Sequence, residues 1–411
     1  MGWLAIGEVG GEMTLQGFRL ELAPTPEQAG RLSAHEGLHR VVFNHCLARV
    51  KAVMDQRAAE RSYGIVDADL TPVQSWSGPG LEKYWRETAA TYPWFAGERM
   101  SSRVPKEACR SLAAALSNWS TSKAGARRGR KVGFPGFRRR KDGGRFRMDS
   151  DRIHPTGARA MHIPAVGVVR TREDATWLTG RLAEGRARIL GGAASRVAGR
   201  WWVSFQVEVD RTDINAHHRA PTDGPVVGID LGIKTYATIA SSDGTVVEVA
   251  NPRHLARAQR KLARLNKALA RTQRGSANRA KAVRKVAQVH LDVAHARADF
   301  GHKFTTELAR TKSVIVVEDL HVAGMVKNRR LARAISDAGW ATVLHQLAYK
   351  AAWYGSRLVV ADRWFPSSRL CSACGVINTE LTLADRVWTC PCGIVHDRDV
   401  TAARNLLGLV A

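Results

Sequence analysis

The chain of 411 residues has no run of apolar residues long enough to cross a bilayer. Its start lacks the basic-then-apolar pattern of a secretory signal, so a cytoplasmic, nucleoid-associated protein is expected. Cysteine is scarce: Cys46 and Cys109 stand alone, and Cys371, Cys374, Cys390 and Cys392 form one group near the C-terminus. That distribution excludes a disulfide framework and points to metal binding. Acidic residues are few beside basic ones, 37 against 63, leaving a net charge of +26. A field of one sign on that scale repels itself unless a polyanion occupies it, which makes nucleic acid the natural partner.

The basic residues are concentrated. Between Lys123 and Arg147, eleven Lys and Arg face a single acid, and such a stretch cannot form a core. Between Asn251 and Lys312 sixteen basic residues face three acids, spread over two predicted helices, His254 to Ala270 and about Asn278 to Thr311. An excess of that size favours phosphate contacts over a merely solvated face.

The periodicities divide the chain. Alternation from Met13 to Leu20 reads as a strand, and Thr25-Pro26 opens a mostly helical region that runs to about Ser122, with a looped interval from Tyr63 to Gly80. After the basic stretch, short alternating runs at Met161 to Arg172, Ala175 to Leu182, Ala187 to Gly191 and Gly199 to Val209 read as a small β-barrel. The strand near Phe18 is a candidate for its first member, with the helices inserted. From Val226 a three-stranded meander (226–230, 235–240, 245–249) precedes the basic helices. A strand at 313–317, a helix at about 336–354, a strand at 357–361 and a helix after Asp399 then give an α/β pattern.

Three acids sit at the ends of apolar elements: Asp230 in Val-Val-Gly-Ile-Asp-Leu-Gly, Glu318 in Val-Ile-Val-Val-Glu-Asp-Leu, and Asp399 in His-Asp-Arg-Asp-Val-Thr. A carboxylate at the tip of a buried strand costs desolvation energy unless a cation or hydrogen-bond donors compensate it. Three clustered carboxylates suit two Mg²⁺ ions about 3.5–4 Å apart, the arrangement used to hydrolyse phosphodiesters to a 5′-phosphate and a 3′-hydroxyl. Asp319 and Asp397 are the alternative ligands. The cysteine pairs, about fifteen residues apart, have the spacing of a structural Zn²⁺ ribbon. The gap in Cys390-Pro-Cys392 is one residue where two are usual, which leaves His396 open as a substitute ligand.

Taken with Gly129-Arg-Lys-Val-Gly-Phe-Pro-Gly-Phe, Asn251-Pro-Arg-His-Leu and Trp364-Phe-Pro-Ser-Ser, these motifs closely resemble TnpB, the transposon-encoded ancestor of the type V CRISPR effector nucleases. The resemblance implies an α/β RNase H-like (RuvC) nuclease domain at 223–411 with a zinc-ribbon insertion at about 366–396. It further implies an N-terminal wedge β-barrel (1–22 and 123–222, the latter carrying the basic loop) and an inserted helical recognition domain at 23–122. The implied activity is RNA-guided, Mg²⁺-dependent DNA endonuclease cleavage at a single RuvC site, with a guide RNA and target double-stranded DNA as partners and a short flanking DNA motif. Asp230, Glu318 and Asp399 fall on the family's catalytic acids. Thr401 stands where the family commonly has Asn, and residues before Met13 have no counterpart in its usual start. Phosphate-binding candidates are Arg130, Lys131, Arg138, Arg139, Arg140 and Lys141 in the basic stretch and Arg257, Arg260, Lys261 and Arg264 in the first basic helix. Phe134, Phe137, Trp201 and Trp202 are candidates for base stacking, with core packing the commoner role for such residues. The competing functions are an RNase H-fold transposase joining strands and a non-cleaving nucleic-acid-binding regulator.

Overall fold

The computed structural model describes residues 13–410 apart from 98–99, 141–142, 149–151, 214–216, 218 and 383. Lys141 and the extension before Met13 lie outside the described residues. The chain divides into two compact units at Asp210–Arg211.

In the first unit, β1 (Met13–Ala23) leads into α1 (Pro26–Ser62), which starts at the predicted place. Thr25 accepts from the Gln28 N–H while the Gln28 side chain accepts from the Thr25 N–H, a closed capping box with Pro26 in the first turn. Helices α2 (Gly78–Thr88), α3 (Pro93–Gly97) and α4 (Arg103–Lys123) follow. Leu32, Leu38, Val42 and Leu47 of α1 meet Leu112 and Leu116 of α4 in one buried core. The chain then returns to the sheet it left. β2 (Arg145–Met148), β3 (His154–Gly157), β4 (Ala160–Ile163), β5 (Gly167–Thr171), β6 (Ala187–Val197) and β7 (Arg200–Asp210) join β1 in the order β2-β6-β7-β1-β5-β4-β3. β1 pairs antiparallel with β7 from Met13↔Asp210 to Leu22↔Trp201, so α1–α4 are inserted after the sheet's central strand.

Two local readings are corrected in this unit. Residues 175–182 are not a strand but helix α5 (Thr176–Ala183), because Ala175, Leu178 and Leu182 recur at helical spacing and turn one face to the core. The single run expected at 161–172 is a hairpin of β4 and β5, turned through Ala165 and Gly167, both at positive φ.

The second unit carries β8 (Val226–Leu231), β9 (Thr235–Ser241) and β10 (Val246–Ala250), the basic helices α6 (His254–Ala270) and α7 (Ala277–Thr311), and β11 (Val314–Glu318). Then come α8 (Val322–Met325), α9 (Ala332–Ala338), α10 (Trp340–Tyr354), β12 (Arg357–Ala361), β13 (Val387–Thr389), β14 (Val395–Asp397) and α11 (Arg398–Leu407). The one helix expected at 336–354 is split, since Gly339 adopts the left-handed conformation (φ 73°) that ends α9 and starts α10. The sheet order is β10-β9-β8-β11-β12, with an antiparallel meander on one side of β8 and the parallel strands β11 and β12 on the other. This strand order is α/β, as the periodicities lead one to expect, and is the RNase H-like arrangement that the family resemblance implies. Val227, Ile229, Ile315 and Val317 point to one face and pack with Leu308, Val343 and Leu347 from the helices. Val316 and Ala361 point to the other, where they meet Leu406 of α11.

Candidate active site and cysteine ribbon

Parallel pairing aligns Val317 with Ile229, so the next residues, Glu318 and Asp230, stand side by side at the carboxyl ends of β11 and β8. Side chains alternate along a strand, which sends both acids to the face that holds α11. That face is open enough for a helix to lie on it because of Gly228. A Cβ there would fall 2.2 Å from the Ala403 carbonyl oxygen and 2.4 Å from the Leu407 nitrogen of α11. Close backbone contact between β8 and α11 is therefore built into residue 228, and it brings the first turn of α11, with Asp399, to the strand ends.

Burial pushes the Asp230 carboxyl up to about 8, aided by the charges of Glu318 and Asp399 and opposed by Arg398 and Arg386. The three acids thus share one electrostatic environment, and a charge on Asp230 is costly without a cation. Ser367 donates its hydroxyl to Glu318 Oε1. Arg386 donates to Asp399 Oδ1 at 3.3 Å. The two alternative acids have other partners: Asp319 pairs with Arg363 at 2.5 Å, and Asp397 caps α11 by accepting from the Asp399 and Val400 N–H groups, each at 3.0 Å. Ser367, Arg386 and Gly228 were not singled out from the sequence. Only Gly228 carried a readable signal, a glycine inside an apolar strand.

Between β12 and α11 the chain forms two knuckles. Gly375 N–H donates to the Cys371 carbonyl (3.0 Å) and Gly393 N–H to the Cys390 carbonyl (2.8 Å), with both glycines at positive φ. The sulfurs of all four cysteines lie within 4.8 Å of one another, with Cys371–Cys392 at 3.8 Å and Cys374–Cys390 at 3.5 Å. Thiolates about 2.3 Å from a tetrahedral Zn²⁺ sit about 3.8 Å apart, so this donor set fits the ion. N–H groups of Cys374 and Ala373 aimed at its sulfur pull the Cys371 thiol down to about 5, toward the ligating form. The short Cys390-Pro-Cys392 knuckle closes without help from histidine. His396 instead places Nε2 3.1 Å from the Cys371 sulfur and Nδ1 3.2 Å from the Thr401 hydroxyl of α11. Among the described residues these cysteines are the group whose ligand atoms all converge within 4.8 Å.

The nucleic-acid candidates separate by exposure. Arg130, Lys131, Arg139 and Arg140 are exposed, as are Arg257, Arg260, Lys261 and Arg264 on α6. Arg138 is held inside the first unit: its N–H and C=O bond Asn44, its guanidinium reaches His39 Nδ1 at 2.9 Å, and it lies 3.6 Å over the Phe43 ring. Trp201 and Trp202 are buried and Phe134 packs on the core, so Phe137 alone of the four aromatic candidates stays on the surface.

Strand order, acid placement and ribbon define an RNase H-like domain carrying a four-cysteine insertion. The family model described as "Probable transposase" (OrfB_IS605) matches residues 204–329, a "Cas12f1-like, TNB domain" model matches 340–406, and a "Helix-turn-helix domain" model matches 13–58. In the structure that last span is one strand and a single unbroken helix. A "Putative RNA-guided DNA endonuclease" of Streptomyces pristinaespiralis is 36% identical over 406 residues, covering 96% of this chain and 89% of that protein. "Putative RNA-guided DNA endonuclease InsQ" of Escherichia coli (strain K12) is 28% identical over 410 residues, covering 96% and 92%. The chain belongs to this family, the TnpB-like proteins of the OrfB_IS605 group. A chain of the Cas12f1-sgRNA-target DNA complex aligns at TM-score 0.48 and 11% identity over 96% of this chain and 99% of that one, too distant to add to the strand order.

Proposed function

We propose that this protein is an RNA-guided DNA endonuclease that hydrolyses target DNA at the Asp230, Glu318 and Asp399 site. The observation that carries the reading is the placement of Asp230 beside Glu318 at the ends of paired parallel strands, with Asp399 delivered by α11. These three carboxylates would hold Mg²⁺, and the four cysteines Zn²⁺. Mg²⁺ held there would supply Lewis-acid activation of water and charge stabilisation of the departing 3′ oxygen. The protein's own contribution is to orient the acids: Ser367 fixes the Glu318 carboxylate, Arg386 holds Asp399, and the burial of Asp230 makes cation binding favourable. A Zn²⁺ held by all four cysteines would have no open position, so its role would be structural.

In this reading a guide RNA pairs with the target strand, and the protein supplies charge and shape. The exposed faces of α6 and the 127–140 stretch support that role through Arg257, Arg260, Lys261, Arg264, Arg130, Lys131, Arg139 and Arg140. The first unit, with α1–α4 inserted after β1, is the counterpart of a wedge domain with a recognition insertion, and reading a short flanking DNA motif falls to it. The test is to purify the protein from cells carrying its native flanking DNA and sequence the bound RNA. Mg²⁺-dependent cutting of a target with randomised flanks is then compared with Asp230→Ala. A discrete RNA that programs cuts lost in the variant is expected. Cutting or joining without RNA would replace the reading with a strand-transferring transposase, and RNA binding without cutting would replace it with a regulator.

A further inference from the structure

Trp364 stands out among the tryptophans. Trp85, Trp201, Trp202, Trp340 and Trp388 are buried, whereas the Trp364 residue is 83% exposed. Its loop is nevertheless pinned on both sides. The Trp364 N–H donates to Asp362 Oδ1 (2.8 Å) and the Phe365 N–H to the Asp362 carbonyl (3.0 Å). Arg363 is tied to Asp319, the neighbour of Glu318, and Phe365 turns inward against the Val316 and Leu406 cluster. The backbone that carries the indole is thus fixed while the ring itself stays in solvent, where it adds little burial energy to the fold.

Its position is bounded by the chain itself. Ser367, three residues on, donates to Glu318, and consecutive Cα atoms are at most about 3.8 Å apart, which keeps Trp364 Cα within about 11 Å of Ser367 Cα. The Trp364 and Ser367 side chains extend that reach to about 20 Å at most, and bases along a strand repeat every ~3.4 Å when stacked, so the indole meets a base within about six nucleotides of the acids. The guanidinium groups near the site, Arg386 and Arg398, favour a polyanion over an apolar protein partner.

Resting on the nuclease reading above, we propose that Trp364 is a stacking platform for an unpaired nucleobase within about six nucleotides of the phosphate cut at the Asp230, Glu318 and Asp399 site. Stacking tolerates any base, since each has a π-face, but a base kept in a duplex already has both faces covered. The platform therefore selects single-stranded substrate without reading its sequence.

Two measurements test this. In the first, Asp230→Asn protein with its copurified RNA is bound to target strands carrying 5-iodouracil at one position at a time, irradiated, and mapped by mass spectrometry. The adduct is expected on Trp364 only for positions within about six nucleotides of the cut. In the second, cutting by otherwise wild-type protein is followed. Trp364→Ala should slow it by about ten-fold, in line with the loss of one aromatic stack, and Trp364→Tyr should retain most of the rate. An abasic residue at the facing position should slow the wild type equally and leave Trp364→Ala no slower. An adduct elsewhere, full-speed cutting by Trp364→Ala, or a further loss when the variant meets the abasic strand overturns the proposal. If the wild-type protein with its RNA cuts nothing, the nuclease reading fails on its own. The stacking site is then judged by cross-linking to a free single-stranded oligodeoxynucleotide, standing if Trp364 is labelled and falling if it is not.

Discussion

Asp230→Asn should make the metal-free protein more stable, not less. In the fold the Asp230 carboxyl titrates at about 8 against an ordinary 3.8, because burial and the charges of Glu318 and Asp399 disfavour its ionised form. A group whose pKa is raised on folding loses its stability contribution as pH rises through the folded value. Below about pH 4 the residue is neutral in both states and the variant gains nothing. Between about 4 and 8 the wild type is progressively penalised, and above 8 the penalty is complete. At 1.36 kcal/mol per pKa unit the whole difference is about 6 kcal/mol. The side chain is part-exposed and carboxylates relax, so a realistic value is on the order of 2–3 kcal/mol. For a unit of this size that is a rise of roughly 4–12 °C in Tm. The assay is thermal unfolding in EDTA at pH 5, 6.5 and 8, repeated with Mg²⁺. The variant should lead by a margin that grows with pH, and Mg²⁺ should raise the wild type and close the gap. A variant that melts at or below the wild-type temperature at pH 8 without metal, or a margin flat across pH, would refute the account of Asp230 as a cation-starved carboxylate.

Three other perturbations follow from the site. Gly228→Ala puts a methyl group against the Ala403 carbonyl, so α11 must shift; unfolding should cost about 1–3 kcal/mol less by denaturant titration, and Mg²⁺ affinity by calorimetry should drop with it. Ser367→Ala removes the donor on Glu318 while leaving the fold intact, and cutting should slow about ten-fold or more with Tm nearly unchanged; equal rates would mean the hydroxyl does not orient the acid. His396→Ala keeps all four thiolates but removes the group beside the Cys371 sulfur, and zinc affinity measured against a chromophoric chelator should fall about 10- to 100-fold.

Much of this arrangement was legible because it is local. The Thr25-Pro26 start, the 226–249 meander, the strands bearing Glu318 and the cysteine spacing each depend on a few adjacent residues whose types fix the backbone. What escaped depends on partners distant in sequence. Residues 175–182 alternate well enough to pass for a strand, and only the core beneath Leu178 and Leu182 decides for a helix. Arg138 reads as one more free cation in a basic run, yet it is anchored by Asn44 and His39, ninety-odd residues upstream. Ser367 and Asn405 are ordinary polar residues until the fold places one on Glu318 and the other across the ribbon's entry.

The same contacts explain why a ribbon should interrupt a nuclease domain at this point in the chain. Asp230 and Glu318 need no help to meet, because strand pairing sets their register. Asp399 has no such constraint; it rides on a helix held by packing and by side-chain hydrogen bonds. The Asn405 amide donates to the Ser367 and Leu370 carbonyls at 2.6 and 2.7 Å, fastening α11 to the segment that enters the ribbon. Thr401 reaches Cys371 through His396, and Arg386 reaches Asp399 from just before β13. The segment that enters the ribbon thus touches Glu318 through Ser367 and holds, through Asn405, the helix that delivers Asp399. The Thr401 hydroxyl, 3.2 Å from His396 Nδ1, completes that linkage from the side of α11.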